Sequence, residues 1–222
     1  MSKPTILLIG ARGHARAVAD VIKAENRFQI AGLIDSFQEA GAICFGYKVL
    51  GGEQDVPKIC SEANISHMFI AIGDNFQRQA MADRIKRVLS NIQLISPIHP
   101  SVIICSDVEI GDGTVIMPGV IVGSGSSIAE GCLLNTASSL DHDCTMEAWS
   151  SLAPGVVTGG DVRLGARSSI GLGACIKNSI NIGCDTVIGI GAALVEDIPD
   201  NVIAYGVPCR VIRSRRPDEP YL

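Results

Sequence analysis

Residues 102–140 read VIICSDVEIGDGTVIMPGVIVGSGSSIAEGCLLNTASSL, and the pattern in them runs on to about Glu196. Stepping by six from Ile104 meets Ile110, Ile116, Val122, Ile128 and Leu134, and so on to Leu194. Fifteen of these sixteen positions are aliphatic or Met, and Thr158 alone breaks the row. Two residues earlier runs a second row of small or β-branched side chains, from Val102 through Ser126, Cys132, Ser138 and Cys144 to Ala192. Gly recurs just after the aliphatic row, at 111, 123, 159, 165, 171, 183 and 189. A helix repeats at 3.6 residues and a strand alternates at 2. A strict period of six makes each hexad one short strand and one turn, the mark of a parallel β-helix.

Three hexads close one triangular coil of about 18 residues. The aliphatic row points inward, the small row fills the interior beside it, and Gly is expected to permit the tight turn between faces. Coils stack at strand spacing, so about five of them give a prism roughly 24 Å long. No residue is inserted in the register, so no loop leaves the coils. An active site must then lie on flat faces with help from a neighbouring chain, which predicts a homo-oligomer.

The chain has 222 residues, 47% of them hydrophobic and 18% charged, enough for one or two domains with a sizeable core. A net charge of −5 argues against nucleic acid or an anionic membrane as the main partner. The eight cysteines form no C-x-x-C pair and no Cys/His cluster, so they read as reduced thiols of a cytoplasmic protein without a metal site. Cys132 and Cys144, on the inward row, read as small apolar fillers. The opening MSKPTILLIG is too short an apolar run for a signal peptide, and no stretch is long enough to span a bilayer.

Before the hexads, Thr5–Ile9 reads as a buried strand. Gly10-Ala11-Arg12-Gly13-His14-Ala15 follows as a turn, and Arg16–Ala24 has helical spacing. Free N–H groups and the positive dipole end at such a helix start suit a phosphate. Phe28–Ile34 reads as a second strand with Asp35 at its end, where an acid commonly meets a ribose or base. The glycines spell G-x-x-G rather than G-x-G-x-x-G, a poor match to a dinucleotide site. Tyr47–Gly52 reads as a turn, Val56–Ala63 as a helix, His67–Ile72 as a strand, Gln77–Leu89 as an amphipathic helix and Ile92–Ile95 as a last strand. Residues 1–97 are thus an α/β, Rossmann-like domain with four or five parallel strands. Residues 98–200 are the β-helix domain and 201–222 a tail. The tail's Arg210, Arg213, Arg215 and Arg216 suggest a solvated basic segment, or else one meeting a ligand phosphate.

Inside a regular β-helix, a residue with no structural reason to be there is informative. His142 is the one His of the hexads, flanked by Asp141 and Asp143, and its phase points it outward. A lone surface His is usually inert, but a flanking acid can hold the tautomer of a base and stabilise its imidazolium.

The whole chain resembles the bacterial nucleotide-sugar acetyltransferases that N-acetylate 4-amino-4,6-dideoxy sugars for bacillosamine and perosamine, with the sialic acid O-acetyltransferases as close relatives. The resemblance rests on Gly10-Ala11-Arg12-Gly13-His14-Ala15-Arg16, Ile34-Asp35, His99-Pro100, Asn135 through Cys144, Ala153-Pro154-Gly155 and Tyr205-Gly206-Val207-Pro208. It implies a left-handed β-helix, a homotrimer, and acetyl-CoA bound in clefts between prisms. It makes His142 the general base, Asp143 its acidic partner and Asn135 the polar residue facing the acceptor. His14 would approach the sugar, Gly10, Gly13 and Arg16 would serve the pyrophosphate turn, and Asp35 the uracil or ribose. Gly160, Leu172, Ile190 and Gly191 would line the pantetheine and thioester. Ser36 stands where relatives often carry a second acid, which bears on the choice of uridine over guanosine.

The expected reaction is direct acetyl transfer from acetyl-CoA to the 4-amino group of a UDP-linked sugar for a surface glycan, with no metal. Sialic acid O-acetylation and a non-catalytic scaffold are the alternatives. An amine has a lower pKa than a hydroxyl, so one His suffices to finish its deprotonation, and a pyrophosphate-binding turn is most useful to a nucleotide-linked substrate.

Overall fold

The computed structural model describes residues 3–221. Its first part is an α/β unit: β1 (Thr5–Ile9), α1 (Gly13–Glu25), β2 (Gln29–Ile34), β3 (Ile43–Cys44), β4 (Tyr47–Gly51), α2 (Val56–Ala63), β5 (His67–Ile70), α3 (Asn75–Val88) and β6 (Gln93–Leu94). The sheet order is β3-β4-β2-β1-β5-β6. All pairings are parallel except the β3–β4 hairpin. The expected turn at Tyr47–Gly52 is therefore a strand. Val49 is fully buried against Leu33, and Gly51 pairs with Ile34, so the glycine pair ends the strand rather than replacing it. Helix α1 also starts three residues earlier than its apolar spacing suggests, which puts His14 and Arg16 in its first turn.

The second part is the prism. Sixteen two-residue strands, Ile103–Ile104 to Ala193–Leu194, pair in parallel at a separation of 18 residues. They wind as a left-handed β-helix with three faces. The first face stacks Ile103–Ile104, Ile121–Val122, Ser139–Leu140, Val157–Thr158, Cys175–Ile176 and Ala193–Leu194. The second stacks Glu109–Ile110, Ser127–Ile128, Thr145–Met146, Arg163–Leu164 and Asn181–Ile182. The third runs from Val115–Ile116 through Leu133–Leu134, Ser151–Leu152 and Ser169–Ile170 to Val187–Ile188, and continues into Val202–Tyr205 and Arg210–Ser214. The aliphatic row makes one continuous core from Ile116 to Leu194.

The glycines after that row have a different job from the one expected. None of Gly111, Gly123, Gly165 and Gly171 lies in the left-handed region. A Cβ on Gly111 would sit 2.5 Å from Glu130 N, and one on Gly165 2.5 Å from the Gly183 carbonyl carbon. They are there because successive coils touch backbone to backbone. The left-handed turn residues come two positions later, at Gly113, Gly119, Gly125 and Gly131, and also at Ala137, Asp143 and Trp149.

The small row also does more than fill space. Thr114 Oγ1 donates to Ala129 O and accepts from Cys132 N. Ser126 Oγ donates to Asp141 O and accepts from Cys144 N. Each hydroxyl satisfies a donor and an acceptor of the next coil inside the core, where leaving either unpaired costs about 1–3 kcal/mol. Cys144 continues the ladder, its Sγ donating to Gly159 O and accepting from Val162 N. The two thiols thus fill the apolar core as expected and add weak polar rungs to it, and burial raises their pKa values.

The α/β unit lies over the third face. Val115, Met117 and Leu133 of that face share a core with Ala15, Val18 and Phe69. The corner between the second and third faces, around Gly131 and Trp149, meets α3.

Candidate active site

The sequence-predicted site residues fall in three places on one chain. His142, Asp143 and Gly160 occupy the corner between the first and second faces. Asn135, Leu172, Ile190 and Gly191 occupy the corner between the third and first faces. Gly10, Gly13, His14, Arg16 and Asp35 belong to the α/β unit over the third face.

At the His142 corner, Asp143 Oδ2 lies 2.8 Å from His142 Nδ1. A carboxylate only accepts, so Nδ1 carries the proton and Nε2 presents its lone pair outward. Asp143 reaches this pose because its backbone is left-handed, with φ of 57°. Asp141 Oδ1 accepts from the His142 N–H at 2.8 Å, and His142 O accepts from Asp161 N at 2.9 Å, which pins the backbone on both sides. The ring stands over Gly160, where a Cβ would lie 2.4 Å from its Cε1 and Nε2. The hydrogen bond to Asp143 and the charge of Asp141 raise the His142 pKa. Beneath the corner, Thr158 is buried and its Oγ1 accepts from Asp141 N at 3.0 Å. The single break in the aliphatic row therefore supports the loop of the candidate base, a signal present in the sequence whose meaning only the stacking reveals.

Asn135 lies at the opposite edge of the first face, its Oδ1 accepting from Thr136 N at 2.8 Å. Strand Ser139–Leu140 runs between it and His142. On the Asn135 edge, Leu172 and Ile190 stack through the Gly191 N–H to Leu172 O bond and project into solvent, with Ile190 75% exposed. A Cβ on Gly173 or Gly191 would meet nothing within 4 Å. This exposed apolar edge with open space beside it fits an extended, mostly apolar chain.

In the α/β unit, β2 and β5 flank β1 on opposite sides, so the chain reverses direction across the sheet between β1 and β5. Ligands of such sheets bind at the carboxyl ends of the strands on either side of that reversal. The Gly10 turn is there, with Gly10 at φ of 115° and a Cβ position only 2.8 Å from Ala71 O. The Asp35 carboxylate fixes this turn: Oδ2 accepts from Ala11 N at 2.9 Å and Oδ1 from Phe37 N at 2.8 Å. Arg16 and Gly13 are exposed at the start of α1, and Arg12 stacks over the exposed Phe37 ring at 5.2 Å. Burial, and then the nearby Arg78 charge, lower the His14 pKa to about 4, so its ring is neutral near pH 7. His14 Nε2 is buried without a protein partner.

Sequence reading missed Arg78, which is 1% exposed. Its five N–H donors reach neutral acceptors alone: Gly131 O, Trp149 O, Ile72 O, Gly73 O and Asn75 Oδ1. The signal was its phase, since Arg78 precedes Ala82 and Ile85 on the buried stripe of α3. The tail is a solvated basic segment only in part, with Arg210, Arg213 and Arg216 exposed. Arg215 is buried and donates to Asp185 O at 2.7 Å, and Arg213 pairs with Glu219 at 2.6 Å. Among the described residues, no group of three His, Cys, Asp or Glu side chains is placed to hold a metal ion, and no helix is long and apolar enough to cross a membrane.

The PglD N-terminal domain family matches residues 5–85, and the bacterial transferase hexapeptide (six repeats) family matches residues 98–136. The curated UDP-N-acetylbacillosamine N-acetyltransferase of Bacillus subtilis (strain 168) is 30% identical over 120 residues, and that match spans 50% of each chain. PerB from Caulobacter crescentus, solved in complex with CoA and GDP-perosamine, is 32% identical with a TM-score of 0.89, over 96% of this chain and 99% of that one. The acetyltransferase domain of PglB from Neisseria gonorrhoeae FA1090, solved in complex with acetyl coenzyme A, is 29% identical with a TM-score of 0.87, over 95% of this chain and 100% of that one.

Proposed function

Because this chain belongs to the hexapeptide-repeat family of nucleotide-sugar acetyltransferases that holds the bacillosamine and perosamine enzymes, we propose that it is an acetyl-CoA-dependent N-acetyltransferase acting on the 4-amino group of a 4-amino-4,6-dideoxy sugar carried on a nucleotide, UDP in the first instance. The observation that carries this reading is the Asp143–His142 pair standing over Gly160. As the amine attacks the thioester carbonyl, His142 Nε2 takes its proton and Asp143 stabilises the imidazolium. The Gly160 N–H, without an acceptor among the described residues, faces the developing oxyanion. The imidazolium then returns the proton to the departing coenzyme A sulfur. Leu172, Ile190 and Gly191 hold the pantetheine along their open edge. Residues 1–97 bind the nucleotide sugar in the crevice between the Gly10 turn and β5, with Gly13 and Arg16 at the pyrophosphate and neutral His14 toward the sugar. Asp35 acts there by holding the turn. Residues 98–200 bind acetyl-CoA.

Incubating the protein with acetyl-CoA and a panel of UDP-, GDP- and dTDP-linked 4-amino sugars, and with sialic acid, tests this. N-acetylation of a nucleotide sugar is the expected product by mass spectrometry and NMR. An O-acetylated sialic acid with the amino sugars untouched refutes it.

A homotrimer belongs to the same reading. The two half-sites flank the first face, whose outward residues include Ile103, Ile121 and Val157 in register and exposed. Turning that apolar face inward in a closed ring brings the His142 edge of one copy to the Asn135 edge of the next. Ile121→Arg is expected to shift the protein from trimer to monomer in sedimentation velocity and to abolish acetyl transfer. A fully active monomer would exclude this assembly.

A further inference from the structure

We infer that the segment carrying Tyr221 positions the nucleotide-sugar half of the active site, acting through Asn75 and Arg78. This rests on the nucleotide-sugar reading above. One lip of the crevice is the Gly10 turn; the other is the loop of residues 72–74 that leaves β5. The two approach at the base of the crevice, where a Cβ added to Gly10 would lie 2.8 Å from Ala71 O, just before the second lip. The second lip is shaped from behind. Arg78 Nη1 draws the carbonyls of Ile72 and Gly73 onto itself at 3.0 and 2.9 Å.

Arg78 is in turn aligned by Asn75 Oδ1, which accepts from Nη2 at 2.7 Å. Asn75 is wholly buried, and its amide donates to Ser151 Oγ, Arg167 O and Ser168 O on the prism. Its own backbone N–H opens α3 and has no intrahelical acceptor. That N–H donates to the Tyr221 hydroxyl at 3.0 Å, across 146 residues of sequence. Tyr221 is held in place by Arg215, whose guanidinium lies 5.7 Å from its ring centroid. The contacts therefore run unbroken from Tyr221 through Asn75 and Arg78 to the crevice lip, and the charge of the same guanidinium reaches His14. Tyr221 touches neither half-site directly, so it is a positioning residue.

Tyr221→Phe tests this, since it keeps the ring on Arg215 and removes only the hydroxyl, which accepts from Asn75 N and also meets Ser169. The KM for the nucleotide sugar is expected to rise about three- to tenfold, the scale of one lost hydrogen bond. The kcat and the Kd for acetyl-CoA should stay unchanged. Amide exchange of residues 72–75 is expected to quicken while the rest of α3 keeps its protection. A lower melting temperature with an unchanged nucleotide-sugar KM overturns the inference, as does equal weakening toward both substrates. The substrate reading fails separately, when the wild-type protein binds no nucleotide sugar; unaltered exchange at residues 72–75 in Tyr221→Phe then still sinks the positioning role.

Discussion

Replacing His142 with alanine is expected to lower turnover by about 10²–10⁴-fold, the usual contribution of a general base, with acetyl-CoA affinity barely changed. The base hangs on a corner of the prism with 54% of its side chain exposed, so its removal disturbs no core. The pH dependence gives an independent reading. A base works when deprotonated, so activity should rise with pH through the His142 pKa, which Asp143 and then Asp141 hold above the ordinary value. Asp143→Asn removes the leading cause. Its acid limb should move to lower pH, with a smaller loss of turnover than His142→Ala. Near-normal turnover of His142→Ala at saturating substrates, or an acid limb that stays put in Asp143→Asn, would end the general-base assignment.

Arg78→Met should cost about 3–5 kcal/mol of folding stability, because five acceptors, three of them buried and two half-buried, lose their donor together. Four are main-chain carbonyls, two half-buried in the loop after β5 and two buried on the prism corner, where no water replaces the lost donor. Methionine fills much of the volume and offers none of them a proton. Removing the desolvated charge returns part of the loss, since burial already pulls the guanidinium pKa down. Urea denaturation followed by fluorescence of Trp149, whose carbonyl Arg78 holds, measures it directly. A loss below about 1 kcal/mol would mean that these carbonyls find other partners.

The hexad register made the prism legible, because a period of six is incompatible with both ordinary elements and each aliphatic had one place to go. His142 stood out for the complementary reason: nothing in the repeat calls for an imidazole. What the sequence concealed depends on distances between coils. Gly111 and Gly165 look like turn residues, and only stacking shows them as contact residues. Arg78 looks like an exposed residue on an amphipathic helix until the prism supplies its acceptors. Tyr47–Gly51 failed for a local reason, since two adjacent glycines mark a turn in most settings and here close a buried parallel strand. The separation of His142 from Asn135 was also hidden, because seven residues of sequence cross a whole face.

The reversal of the chain after Gly206 bears on solubility. A parallel β-helix ends in a coil whose N–H and C=O groups have no successor, an open template for another chain. Here Val202–Tyr205 adds to the third face in parallel, and Arg210–Ser214 then pairs with it antiparallel. A strand of reversed direction breaks the repeat that a stacking neighbour would have to copy. Arg210 and Arg213 stand exposed along that rim, paired with Glu196 and Glu219, charged groups that a stacking neighbour would have to desolvate. The hairpin that leads to Tyr221 is thus also a stopper against end-to-end fibre growth.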